Sequence, residues 1–174
     1  ALGQLLTVVF SLFYAAVSYK FKYYGEMITY LGMSAPMAMF SVISWLKHPY
    51  AECEVKIKKL TKANIIILIF LSVAVSFLFY FILKALGTNT LLVSTFSVTT
   101  SFFAASFLFL RSPYYAAAYA LNDIVLIVLW VVASIRDISF VPMVICFAVF
   151  FANDLYGFIN WKRLQKKQTT EKAN

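Results

Sequence analysis

Charge is scarce in this sequence: only 13% of its 174 residues are Asp, Glu, Lys or Arg, while 63% are hydrophobic. A soluble domain averages roughly 25% charged and 45–50% apolar. A water-soluble chain of this size has too little interior to hide that much apolar surface. The excess must face lipid. Cysteine is nearly absent, with two residues. Cys53 falls in a polar loop and Cys146 in an apolar run, so a disulfide framework is excluded. Histidine occurs once, as His48 beside Pro49. No H-E-x-x-H or G-x-S-x-G motif is present, and a lone loop histidine is far more often solvated than catalytic. No metal site, bound cofactor or intramembrane enzyme is expected.

What is present is apolar sequence in long runs almost free of charge: Leu2–Ser18, Met27–Trp45, Ile65–Leu83, Leu91–Leu110, Tyr114–Ser134 (through Asp123) and Ile138–Asn160 (through Asp154). Most approach the roughly 20 residues needed to cross about 30 Å of hydrocarbon at 1.5 Å each. Barrel strands would be shorter and would alternate strictly. The reading is therefore an all-α integral membrane bundle of six transmembrane helices. Leu2–Ser18 lacks the basic flank and cleavage site of a signal peptide.

The net charge of +8 is not a nucleic-acid footprint, because the cations lie between the apolar runs or after them. Counted by alternate ends, one side carries Lys47, Lys56, Lys58, Lys59, Lys62, Arg111, Lys162, Arg163, Lys166, Lys167 and Lys172. The other carries Lys20, Lys22, Lys84 and Arg136. This asymmetry predicts a cytoplasmic C-terminus in a cell membrane.

The one long polar stretch, Lys47–Asn64, leaves two spans before it and four after it. A shift of 116 residues places Ser18 on Ser134, Lys20 on Arg136, Tyr24 on Phe140, Ile43 on Ile159, Trp45 on Trp161 and Lys47 on Arg163. The first helix pair thus matches the last pair, as parallel repeats in transporters do. The expected organisation is a first helical unit at 1–45, a cytoplasmic loop at 46–64, a linker helix at 65–86, a second three-helix unit at 91–161 and a basic tail at 162–174. The second unit has three helices and the first shows two. The sequence reading therefore expects a three-plus-one-plus-three parent whose first helix precedes Ala1.

YKFKYYGEM, RSPYYAAAYALNDIVLIVLW and ANDLYGFINWKRLQKKQ resemble the PnuC nicotinamide riboside transporters over nearly the whole chain. The most specific stretches are Asn122–Asp123 to Trp130 and Asn153-x-x-Tyr156-Gly157 with Trp161-Lys162. The resemblance implies seven helices in a three-one-three arrangement, related to the SWEET sugar transporters. It also implies facilitated diffusion of a vitamin nucleoside that is trapped inside by phosphorylation. No ATP-binding motif is required.

Polar side chains inside hydrocarbon carry the functional information, because they are costly unless paired or facing a cavity. Tyr115, Tyr119 and Asn122 share one face of the fifth span, with Trp130 two turns on. Asn153, Tyr156 and Asn160 repeat the pattern on the sixth. Rings and amides facing each other would sandwich a base and bind ribose hydroxyls or a carboxamide. The bland alternative is that the amides join helices and the rings pack. The expected substrate-binding set is Asn122, Asn153, Tyr119, Tyr156, Trp130 and Asn160, and the resemblance matches Asn122 and Asn153 to substrate-contacting asparagines. Tyr115 and Trp161 suit an interfacial belt.

Asp123 and Asp154 read as the only acids inside spans, and as clamps ahead of proton carriers. Ser94, Ser97, Thr99, Thr100 and Ser101 are expected to bond their own helix carbonyls. Pro36 and Pro142 would each break a span. One departure from the family matters: where members carry a glutamine and a W-x-x-W pair, this chain has Ala38 and Val42 and keeps only Trp45. Thiamine, riboflavin and deoxynucleosides therefore stay open as substrates. A vitamin-binding subunit of an energy-coupling-factor transporter is the rival reading, although it would want small residues on the first helix. Besides substrate and lipid, partners are limited to further copies of the chain, and monomer, dimer and trimer are all compatible with the sequence.

Overall fold

The computed structural model describes residues 2–21, 23–51, 54–58, 60–88 and 90–170. Lys22, Cys53, Lys59 and Lys172 lie outside the described residues. The described residues form six long helices: α1 (Leu2–Lys20), α2 (Tyr24–Leu46), α3 (Lys62–Ala85), α4 (Leu91–Phe109), α5 (Tyr115–Arg136) and α6 (Ile138–Thr170). Five of them, α2 to α6, are long and apolar enough to cross a membrane, and α1 matches α4 at 19 residues. Their outward faces are greasy. Phe70 is 73% exposed, Leu92 79% and Ile135 80%. Only lipid makes such a surface inexpensive.

Helix ends follow local chemistry. Thr61 caps α3, its hydroxyl accepting from the Asn64 N–H at 3.2 Å. Gly87 ends the same helix in the left-handed region, φ 64°, with the Thr88 N–H reaching back to the Leu83 carbonyl. Asp137 turns α5 into α6 by accepting from the Ser139 N–H at 2.9 Å, which holds its carboxyl below the usual carboxylate range.

The two prolines behave differently from each other. Pro36 is preceded by a π-helical turn, Tyr30–Ser34, in which the Ala35 N–H bonds the Tyr30 carbonyl five residues back. The wider turn absorbs the hydrogen bond that proline cannot make. Pro142 breaks nothing: α6 begins with a 3₁₀ turn at Ile138–Phe140, so this proline stands in the first α-helical turn, where no donor is needed. The expectation of a break there is corrected.

The polar stretch between α2 and α3 holds a small antiparallel hairpin, β1 (Pro49–Ala51) with β2 (Glu54–Val55). The basic tail is not a separate appendage. Helix α6 continues through it to Thr170, and Gln168 docks on the chain just after the hairpin's turn. Its amide donates to the Val55 carbonyl at 3.0 Å and accepts from the Ile57 N–H at 3.1 Å.

Two clusters hold the bundle together. Tyr14, Tyr23, Tyr30, Leu126, Leu129, Trp130, Phe140 and Phe147 join α1, α2, α5 and α6. Met33, Leu83 and Val98 join α2, α3 and α4. Near the second cluster Gly25 packs so closely that an added Cβ would sit 2.5 Å from a Leu83 methyl.

Candidate functional site

Asn122 lies near the middle of α5 and is 3% exposed. Its side-chain oxygen accepts from Thr100 at 2.7 Å and from Ser101 at 2.8 Å, both on α4. The Ser/Thr run of α4 thus does two things. Thr99 and Thr100 reach their own helix carbonyls, as the sequence suggests, and so does Thr95, while Thr100 and Ser101 fix the Asn122 amide. Ser94 and Ser97, expected to bond their own helix, have buried hydroxyls without a partner, which corrects that part of the reading. A buried amide bound to two hydroxyls is an orienting arrangement.

One residue on, Asp123 points the other way. It faces Asp154 of α6, and its Oδ2 is buried without a partner. Tyr119, half-buried on α5, has its ring 6.3 Å from that of Tyr115.

A third interior acid escapes the sequence reading. Because α2 starts at Tyr24, not at Met27, Glu26 falls inside the helix and is 1% exposed. It is bonded to the Tyr14 hydroxyl, and its Oε2 is buried without a partner. That corrects the expectation that Asp123 and Asp154 are the only intramembrane acids. A signal was available: Glu26, Tyr30, Met33 and Met37 fall at i, i+4, i+7 and i+11, one helical face.

Trp130 is fully buried, donating from Nε1 to the Tyr14 hydroxyl at 2.8 Å, with Tyr23 and Phe140 rings at 4.9 and 5.4 Å. At the opposite end, Trp45, Tyr115 and Trp161 form a second aromatic group. Trp161 is 4.8 Å from Tyr115 and 5.1 Å from Trp45. Trp45 is tied to α4 through its Nε1 and the Leu108 carbonyl, 3.1 Å.

The sixth span is turned differently from the expectation. Along α6, Phe147, Phe150, Asp154, Gly157 and Trp161 meet the other helices on one stripe, spaced three, four, three and four. Asn153 and Tyr156 lie off that face, exposed, with Tyr156 at 66%, and Asn160 is half-buried. The structure therefore brings Tyr119 and Asp123 beside Asp154, turns Asn122 toward Thr100 and Ser101 of α4, and seats Trp130 with Tyr14, Tyr23 and Phe140. It does not bring Asn153 or Tyr156 to Asn122. A concavity of about 550 Å³ lies elsewhere, an apolar groove between α2, α3 and α4 lined by Met37, Phe40, Leu68 and Phe102.

A lipid-facing helical bundle with amides and acids concentrated between its helices defines a multi-pass membrane protein. Residues 2–163 match the family model described as nicotinamide mononucleotide transporter, and the chain belongs to that family. It is 31% identical over 162 residues to the nicotinamide riboside transporter PnuC of Neisseria mucosa, an alignment covering 90% of this chain and 62% of that protein. The crystal structure of the vitamin B3 transporter PnuC is similar with a TM-score of 0.78 at 29% identity, covering 94% of this chain and 72% of that one. The chain thus spans less than two thirds of the curated relative's length.

Proposed function

We propose that this protein carries a vitamin-type nucleoside, nicotinamide riboside foremost, across the cell membrane by facilitated diffusion, with phosphorylation inside retaining the product. The C-terminus faces the cytoplasm in this reading, supported by the distribution of lysine and arginine between the two ends of the helices. Chemistry at an enzyme active site has no part in it.

The observation that carries the proposal is the charge of the interior. Glu26, Asp123 and Asp154 are its acids, all within helices, whereas Arg111, the described arginine with buried guanidinium nitrogens, stands in the turn between α4 and α5. A phosphorylated nucleotide would enter between the helices against carboxylates with no cation beside them. Nicotinamide riboside carries a positive pyridinium ring and no phosphate, so acids, tyrosines and a fixed amide suit it. This favours the riboside of the relative's name over the mononucleotide of the family's. Thiamine is also cationic and is the second reading, because Ala38 and Val42 leave more room than the family's glutamine and tryptophan.

The test is titration calorimetry on the purified full-length protein with nicotinamide riboside, its mononucleotide, thiamine, riboflavin and deoxynucleosides. Saturable heat for the riboside and none for the mononucleotide is expected. Equal binding of the mononucleotide would overturn the proposal.

A further inference from the structure

The sequence offset of 116 residues reappears as contacts in space. Tyr14 and Trp130 differ by 116 positions and are hydrogen-bonded at 2.8 Å. Trp45 and Trp161 differ by the same amount, 161 less 45, and their rings are 5.1 Å apart. Where two units are related by a twofold axis, equivalent groups sit on opposite sides of it, each at half their separation. Equivalents that touch must therefore lie against the axis. The outward pair Tyr19 and Ile135, also 116 apart, shows the contrast, being 63% and 80% exposed.

These contacts mark two points on one axis. Helix α5 reaches both, through Trp130 at one end and Tyr115, packed on Trp161, at the other. Fifteen residues separate them, about 22 Å of helix. Asn122 and Asp123 lie between. Parallel repeats hold their substrate at the repeat interface near the midplane, and access alternates as one unit rocks against the other.

Resting on the transport reading, we infer that the two repeat-equivalent aromatic contacts are the gates of the translocation path. Tyr14–Trp130, latched by Glu26, closes the outer end, and Trp45–Trp161 closes the inner end. The two gates are built differently. At the outer one, hydrogen bonds run from Trp130 to Tyr14 and from Tyr14 to Glu26. The second carboxyl oxygen of Glu26 has no partner while the gate is shut. Opening lets water reach that oxygen, which offsets part of the loss of ring packing. At the inner gate the two tryptophans meet by ring packing, and the hydrogen bonds nearby join Trp45 and its neighbour to α4 of the second unit. Trp45 is held to α4 by its own hydrogen bond, and Ser44 by another, from its hydroxyl to the Phe109 carbonyl at 3.0 Å. The moving part there is the Trp161 segment of α6.

The test uses the full-length protein in liposomes and uptake of nicotinamide riboside. Cross-linking a Tyr14→Cys/Trp130→Cys pair, or a Trp45→Cys/Trp161→Cys pair, should lower uptake at least tenfold, with recovery on reduction. Undiminished uptake through a fully cross-linked pair overturns the inference while leaving the transport reading intact. Absence of uptake of every vitamin and nucleoside by the unmodified protein ends both. Because those four positions are in packed surroundings, a second measurement spares them. Spin labels at Tyr19 and Ile135 report the outer end, and labels at Leu46 and Lys162 the inner. Their separations should change in opposite senses when riboside is added. Both pairs staying fixed while uptake continues would overturn the gates.

Discussion

Replacing Asn122 with alanine separates the two roles its amide can have. As glue, the residue contributes only its bonds to Thr100 and Ser101. Hydrogen bonds between membrane helices average about 0.6 kcal/mol and reach about 1.7. Thr100 also has fallback acceptors in the Phe96 and Ser97 carbonyls, at 3.2 and 3.0 Å. The stability cost of Asn122→Ala is therefore about 1 kcal/mol, enough to measure and too little to prevent insertion. As a substrate contact the amide counts for more, because truncation leaves a buried polar group of the ligand unpaired, at about 1–3 kcal/mol. That converts to roughly a 5- to 150-fold rise in Kd for nicotinamide riboside. Thr100→Val is the control. It removes one support and keeps the amide, so stability should fall by about 0.6 kcal/mol while affinity drops less than in Asn122→Ala. Reversible unfolding in mixed micelles gives the first quantity and titration calorimetry the second. If Asn122→Ala binds riboside with unchanged Kd, the amide joins helices and does nothing else, and the site assignment fails.

Two glycines should respond oppositely to alanine. At Gly25 the new Cβ would stand 2.5 Å from Leu83 and 3.1 Å from the Thr88 hydroxyl, so Gly25→Ala should cost about 1–3 kcal/mol by overpacking, read as a lower unfolding midpoint. At Gly157 the nearest atom is the Ala116 methyl at 3.6 Å, an ordinary contact, and the midpoint of Gly157→Ala should be unchanged or higher. Gln168→Ala removes two hydrogen bonds from the hairpin segment, about 1–2 kcal/mol locally, and trypsin should then cut at Lys56 and Lys58 several-fold faster. An unchanged cleavage rate would mean that the end of α6 does not dock in solution.

Helix number and position were legible because hydrocarbon imposes them: a spanning segment must satisfy its own backbone and must be long enough, and both conditions show in composition. The starting point of α2 was less so. A charge-free window stops at Glu26, yet the helix begins before it, because the Tyr14 hydroxyl supplies the carboxyl with a partner from another helix. Nor did local sequence announce Gln168, which is isolated among lysines and becomes structural only when the hairpin stands beside it.

Helix rotation is the quantity that a membrane sequence encodes most weakly. In water an apolar stripe identifies the buried face, but here the lipid side is as apolar as the core, so the contrast that would orient α6 is missing. Two readings of α6 were then open: amides inward, with Asn153, Tyr156 and Asn160 on one stripe, or the neighbouring stripe with Phe147, Asp154, Gly157 and Trp161. Gly157 discriminates between them. A residue without a side chain is useful where another helix comes close, and Ala116, the small residue opposite it, sits on α5. Pairing those two small residues fixes the rotation and carries Asp154 to Asp123 and Trp161 to Trp45. Repeat matching leads to the same answer independently, since the offset that pairs Trp45 with Trp161 in sequence pairs them in space. In a bundle of this kind, the small residues and the internal repeat orient the helices, and the polar residues follow.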